Sequence, residues 1–380
     1  MKWINTVFIT LLMGCITTEK THKSNWYAID KAEKLECQKW PLREKDLRIE
    51  SVKPTLDHTH VLRGFAVTVL TRTANRAFYF MPFKNEIPLD LDHAVPVVLP
   101  RQTLFLGAIL QGKKRFIVTA QNGLQGIQLE LRTLGDNVVR AKGGLPGERI
   151  EDGRIVRGGQ GLWLRFSTPE GIEKIAQIRL FSNDQWDIRL VPGTYETPPV
   201  LIPQQKGLYT VWKEEAKNPL RFRWIPLDGP VGNPQEFPYT PDQQIESWTA
   251  GTDGSRFYAV VVDGDTLIGQ ASLKLLMGAM VSNVYNIEKV HKLNLRNVHA
   301  TEPSLVHAKG QTEALLMNWI DEESTIARYT MMEDTVPQPR FSGIFPKGTK
   351  IQETMRGNER SFFLAKNKVE AQWNIYLCEL

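Results

Sequence analysis

The chain lacks several features that would narrow its function at once. Its N-terminal apolar run, Trp3–Met13, falls short of the roughly 20 residues that a membrane-spanning helix needs. No stretch makes a persuasive long amphipathic helix. The best candidate, Leu267–Val290, carries Val, Tyr and Ile together with Gly278, which favours two strands. No Gly-X-Ser-X-Gly elbow is present for nucleophilic catalysis. Lys and Arg outnumber Asp and Glu by 47 to 42, but the excess is spread out, so the basic patch that nucleic acid requires is missing. Cysteine is scarce: Cys15, Cys37 and Cys378 are the whole complement.

What is present is a period. A glycine closely precedes an apolar strand at Gly64, Gly112, Gly161, Gly207, Gly254, Gly310 and Gly357, at intervals of 46 to 56 residues. Glycine suits these places because a tight turn between strands often needs a positive φ. A short polar turn and a second strand follow each time. Thr301–Met332 shows the unit most plainly, with acidic turn residues Asp321, Glu322 and Glu323 between two apolar segments. A length of 380 residues would by itself suggest two or three domains. Repetition overrides that. Units of about 40–50 residues match one four-stranded blade, and the expectation is an all-β, seven-bladed β-propeller over residues 47–380. Its last unit, ending at Ala371–Cys378, runs out of chain before a fourth strand. Leu47–Val52 alternates like a strand, so it is expected to supply the missing outer strand and close the ring, with the first blade starting near Asp57–Leu62.

The N-terminus carries an address. Met1-Lys2 is a short positive head, Trp3–Met13 an apolar core, and Leu12-Met13-Gly14-Cys15 follows directly, the arrangement of a cleaved signal over residues 1–14. Leu12-Met13-Gly14-Cys15 resembles the lipobox of bacterial lipoproteins. That resemblance implies diacylglycerol on the Cys15 thiol and, after cleavage, an N-acyl lipid on the same residue. Several acyl chains on one residue anchor durably where one is marginal. Ile16 stands where the family's inner-membrane retention signal would place Asp, which points to the outer membrane. Residues 15–46 then read as a lipidated polar tether whose later part packs on the body.

Export to an oxidising compartment opens two readings of the remaining cysteines. In one, Cys37 and Cys378 form a disulfide where the two ends of a ring meet. In the other, both are unpaired and Cys378 packs as a small hydrophobe.

Propellers usually place their chemistry at the mouth of the central channel. The most metal-like string is Asp57-His58-Thr59-His60, and innermost-strand positions near His299, Glu302 and His307 would have to converge on His58 and His60 to complete a site. No spacing enforces that, so structural or exposed histidines are the preferred reading. Asp321, Glu322 and Glu323 are the candidate polar binding residues; they lack the further ligands of a calcium loop and read as a solvated turn. The Ser-X-Asp-X-Gly-X-Thr-Trp boxes of sialidase-type propellers and a repeated Trp-Asp dipeptide are both absent. Trp163, Trp212, Trp319 and Trp373 fall in repeat strands and are expected between blades, whereas Trp26 and Trp40 lie in the tether.

The functional expectation is a membrane-anchored, extracytoplasmic propeller that binds a protein, peptide or glycan of the bacterial envelope. It would act as a monomer with no catalytic residues, no cofactor beyond the lipid on Cys15, and no nucleic-acid partner. The alternative is a hydrolase or lyase of a glycan or lactone, working from the channel mouth.

Overall fold

The computed structural model describes residues 34–35, 37–42, 48–56, 62–70, 76–84, 87–88, 96–100, 102–111, 114–134, 136–158, 161–180, 186–214, 219–237, 239, 245–252, 257–265, 270–281, 284–294, 301–308, 311–320, 323–331, 338–345, 349–356, 360–367 and 372–379. Every regular element among them is a β-strand.

Burial explains why the glycine-led strands are so uniformly apolar. Gly161–Ser167 and Gly207–Lys213 are second strands of their sheets and are buried along almost their whole length. Such a strand has sheet neighbours on both sides and apolar layers on both faces, so neither parity of residues reaches water. The fourth strand Val139–Pro146 instead alternates between buried and exposed positions, as an outer strand with one wet face should. The marker glycines have a different cause from the one expected. Neither Gly161 nor Gly207 is among the positive-φ glycines. A Cβ on Gly207 would lie 2.5 Å from the Ile225 carbonyl oxygen, and one on Gly161 would lie 2.4 Å from Leu227 Cδ2. Close approach of the Ile225 main chain, not turn geometry, fixes glycine at Gly207, whereas at Gly161 a Cβ would require only the end of the Leu227 side chain to shift.

Antiparallel sheets follow one another along the chain. The first blade holds Arg48–Leu56, Leu62–Leu70 and Arg76–Lys84, with Ile87–Pro88 and Pro96–Leu99 on its outer side. The second runs from Leu104–Gln111 to Val139–Pro146, the third from Asp152–Gly158 to Trp186–Leu190, and the fourth from Val200–Gln204 to Gln235–Glu236. The fifth spans Ile245–Thr252 to Val284–Asn294, and the sixth Thr301–Ala308 to Gln338–Phe345. The Leu267–Val290 stretch is indeed two strands, Gln270–Val281 and Val284–Asn294, with a bulge at Met277/Gly278. First strands of successive sheets touch in order, from Arg48–Leu56 through Leu104–Gln111, Asp152–Gly158, Val200–Gln204, Ile245–Thr252 and Thr301–Ala308 to Thr349–Arg356. They are the innermost strands. Apolar clusters fill the spaces between neighbouring blades. One joins Leu129 and Leu131 of the second to Leu164 and Phe166 of the third; another joins Trp163 to Leu208 and Trp212 of the fourth.

This corrects the expected architecture. The described strands make six blades out of consecutive chain, not seven. They are joined by a composite sheet in which N- and C-terminal strands lie together, in the order Cys37–Pro41, Trp373–Glu379, Arg360–Asn367, Thr349–Arg356. Leu47–Val52 does not close the ring. From Arg48 onward it belongs to the innermost strand of the first blade, antiparallel to Leu62–Leu70. Its alternation came from packing between blades on both sides, a pattern that an outer strand shares. The closing strand is Cys37–Pro41, with Cys37 opposite Cys378 and Pro41 opposite Asn374. Lys34–Leu35, just before it, pairs in parallel with the outer strand of the sixth blade.

The seam is apolar. Leu42, Val52, Phe65, Val67 and Met81 share a cluster with Phe362, Leu364, Trp373, Ile375 and Leu377, and Trp40 packs against it. Trp163, Trp212 and Trp373 are all buried, as their place in the repeat implied.

Candidate binding groove on the innermost strands

Cations lie on the innermost strands of the first and third blades, while that of the second, Leu104–Gln111, carries no charged residue. Lys53 lies on Arg48–Leu56, and Arg154 and Arg157 lie on Asp152–Gly158. Between them runs Leu104–Gln111, whose register shifts between Phe105 and Gly107, a bulge at the middle of the wall. Together these strands border a small cleft with about 40 Å³ of accessible space, lined by Lys53, Arg154 and Arg157 and by Pro54, Ala108 and Ile109.

Lys53 is held across three blades. Its Nζ donates to the Phe105 carbonyl at 2.9 Å, to the Gly153 carbonyl at 2.6 Å and to Asp152 Oδ1 at 3.2 Å. The ammonium has only 15% of its side chain exposed, whereas Asp152 has 76%. An ion pair with one partner in water adds little. The two carbonyls matter more, since bonds from a charged donor contribute about 1.5–3 kcal/mol each. Arg157 ties the third blade back to the second by donating from Nη1 to the Leu110 carbonyl. Lys53 and Arg157 are therefore fixed in place by backbone acceptors.

A different kind of cation sits one blade further on. Arg223 is buried, its guanidinium 5.5 Å from the Tyr195 ring centre and 5.9 Å from that of Trp212, and it donates to the Pro192 carbonyl at 2.6 Å and to the Tyr195 hydroxyl. It is enclosed by aromatic rings and serves the packing of the third and fourth blades.

Of the four described carboxylates that depart from ordinary behaviour, Asp136 and Glu170 are held low by hydrogen bonds from Thr133 and Thr168, and the other two are partly buried. Burial pushes the Glu173 carboxyl up, with Arg165 at 3.7 Å offsetting part of that. Burial also pushes Glu130 up, but hydrogen bonds from Arg132, whose Nε donates at 2.9 Å, and from Lys142 outweigh it and leave Glu130 below its usual range.

The candidates named from the sequence are distributed over several blades. His307 and Glu302 lie on the innermost strand of the sixth blade, opposite Thr312 and Met317. His58, His60 and His299 lie outside the described residues, as do Cys15, Trp26, Asp321 and Glu322. Glu323 opens the strand Glu323–Met331, opposite Ile320. Cys37 is disulfide-bonded and faces Cys378 in the register. Among the described residues no three His, Cys, Asp or Glu side chains are grouped to hold a metal ion, and no helix is long and apolar enough to cross a membrane.

Sequence reading missed Lys53, Arg154 and Arg157. It looked for cations concentrated on one element, and these converge from two strands about a hundred residues apart. The one local signal was the pair of arginines three apart in Asp152–Gly158.

No protein-family model matches the chain, and no curated protein matches it by sequence. Solved structures do match. U3-55K aligns at 9% identity with a TM-score of 0.53, over 90% of this chain and 98% of that one. The WD40 domain of Toxoplasma gondii coronin aligns at 9% identity with a TM-score of 0.52, over 92% of this chain and 87% of that one. The fold is a β-propeller. Hydrazine synthase of Kuenenia stuttgartiensis gives 9% identity and a TM-score of 0.50 over 93% of this chain and 98% of that one, so this propeller is shared by proteins of unlike chemistry.

Proposed function

We infer that the chain is a binding scaffold of the bacterial envelope, a propeller held to the outer membrane by lipid on Cys15 and engaging an envelope protein, peptide or glycan. The observation that carries this reading is the β-propeller architecture itself, a fold commonly used for protein interaction. Leu12-Met13-Gly14-Cys15 supports the anchor. A disulfide from Cys37 to Cys378 belongs to the same reading, since an exported protein meets oxidising conditions.

Crosslinking in intact envelopes, followed by recovery of the chain and mass spectrometry, tests both halves. The expected result is a recurrent crosslinked envelope partner together with an acylated Cys15. An unmodified Cys15 removes the anchor. Turnover of a defined envelope substrate by the purified protein, abolished by a change at a channel carboxylate, would replace the scaffold reading with an enzymatic one.

A further inference from the structure

The segment that closes the ring lies across two sheets like a strap. Lys34–Leu35 pairs in parallel with the outer strand of the sixth blade, and Cys37–Pro41 pairs antiparallel with Trp373–Glu379 of the composite sheet. Cys37 is disulfide-bonded and stands opposite Cys378 in that register. From this arrangement we infer a redox-gated latch. The Cys37–Cys378 disulfide locks the strap onto the ring, and a dithiol that reduces it frees the strap and uncovers the outer side of Trp373–Glu379. This goes beyond the scaffold reading and stands whether or not Cys15 carries lipid.

Little besides the disulfide holds the strap. Gln38, Lys39 and Pro41 are exposed, and no residue of the strand is fully buried. Two strands further in on the same sheet, Phe362, Phe363 and Leu364 are almost completely enclosed. The apolar hold comes down to Trp40, which packs against the seam cluster, and Leu42, whose N–H donates to the Trp373 carbonyl at 3.0 Å. Even that contact is imperfect. The indole nitrogens of Trp40 and Trp373 and the Asn374 Oδ1 are buried with no hydrogen-bond partner among the described residues, which offsets part of what burying the rings contributes. No hairpin turn keeps the pair in register, because its two strands come from opposite ends of the sequence. An edge held by so few contacts opens at a much smaller cost than the whole fold.

Cys37 is half-buried on the outermost strand of its sheet, within reach of a small thiol. A thiolate of the dithiol attacks the Cys37 sulfur, forming a mixed disulfide and releasing Cys378 as a thiolate, which takes a proton from water. The second thiol of the reductant then attacks its own sulfur in that mixed disulfide, departs as a cyclic disulfide and returns Cys37 as a thiol. The protein gains two electrons and two protons, and the reductant loses them. A reducing compartment therefore leaves the strap loose, and an oxidising one locks it.

The test compares the purified full chain in detergent, oxidised and after dithiothreitol, by hydrogen–deuterium exchange and mass spectrometry. Peptide mapping without reductant should recover Cys37 linked to Cys378; another partner for Cys37 overturns the latch. Reduction should speed exchange in residues 37–42 and 373–379 at least tenfold. The buried strands 161–167 and 207–213 should change by less than twofold, and reoxidation should restore slow exchange at the edge. Unchanged exchange at 373–379, once alkylation shows both thiols free, overturns the proposal because the pairing then holds without the bond. An equal rise in every blade overturns it too, since the bond would then secure the whole fold. Cys37→Ser should show the reduced pattern with no reductant present, and parent-like protection in that variant would count against the latch.

Discussion

The closing seam and the groove wall are built from the same element, a β-strand meeting its neighbour in the next sheet, yet they are held in opposite ways. At the seam, Phe65 and Phe362 are fully buried in one cluster with Trp373 and Leu377, and Cys37 adds a covalent link. At the wall, Lys53 and Arg157 reach across to main-chain carbonyls beside a small cleft. Apolar burial is non-directional and binds the two chain ends wherever their side chains fit. Charged donors on carbonyls are directional, and they leave positive potential facing outward. The contrast separates the part of the ring that shuts it from the part that only ties neighbouring blades together.

Breaking the seam should cost the most. Phe362→Ala removes a fully buried ring and is expected to lower unfolding free energy by about 3–5 kcal/mol, read from urea denaturation. Cys37→Ser comes next, at about 2–4 kcal/mol. Its effect should vanish when parent and variant are compared under reducing conditions, which would sharpen the assignment of that cost to the covalent link. Lys53→Met keeps the apolar stem and leaves the Phe105 and Gly153 carbonyls without their charged donor, so a loss of about 1–3 kcal/mol is expected. If Lys53→Met proved as costly as Phe362→Ala, the distinction between the two regions would fail.

The smallest effects are those of pH, and here two carboxylates in neighbouring blades should move in opposite senses. Glu130, held below its ordinary value of 4.5, contributes stability that is present above that value and lost as pH falls through its folded value. Glu173, pushed above 4.5 by burial, favours the fold while protonated and withdraws that contribution as pH rises from 4.5 through its folded value. Urea midpoints taken between pH 3 and 7 should therefore rise less steeply with pH in Glu130→Gln than in the parent chain. The same midpoints should gain at neutral pH relative to the parent in Glu173→Gln. A shared direction in the two variants would contradict the assigned causes.

The repeat was legible because its source is local. A second strand buried on both faces must be apolar throughout, and a main-chain neighbour close to its start admits only glycine, as Gly207 shows. The closing strand was not legible. Cys37–Pro41 is only five residues long and shows no alternation, amid charged sequence, and its partner lies more than 330 residues further along the chain. Leu47–Val52 offered the cleaner pattern, but an innermost strand packed between two blades alternates just as well. The groove was hidden for a related reason. Arg154 and Arg157 sit within one strand, but Lys53 joins them only once the second blade has brought the first and third together.

One consequence of the composite sheet concerns the order of assembly. Residues 37–41 are made early and have no antiparallel partner until 373–379 exist. A pairing of such sequence separation forms late, after the loop-closure entropy of nearly the whole polypeptide has been met. During synthesis the blades can stack from the front, but the outer edge of the final sheet stays bare until residues 373–379 are made. That interval is when the protein is most open to sticking to its neighbours.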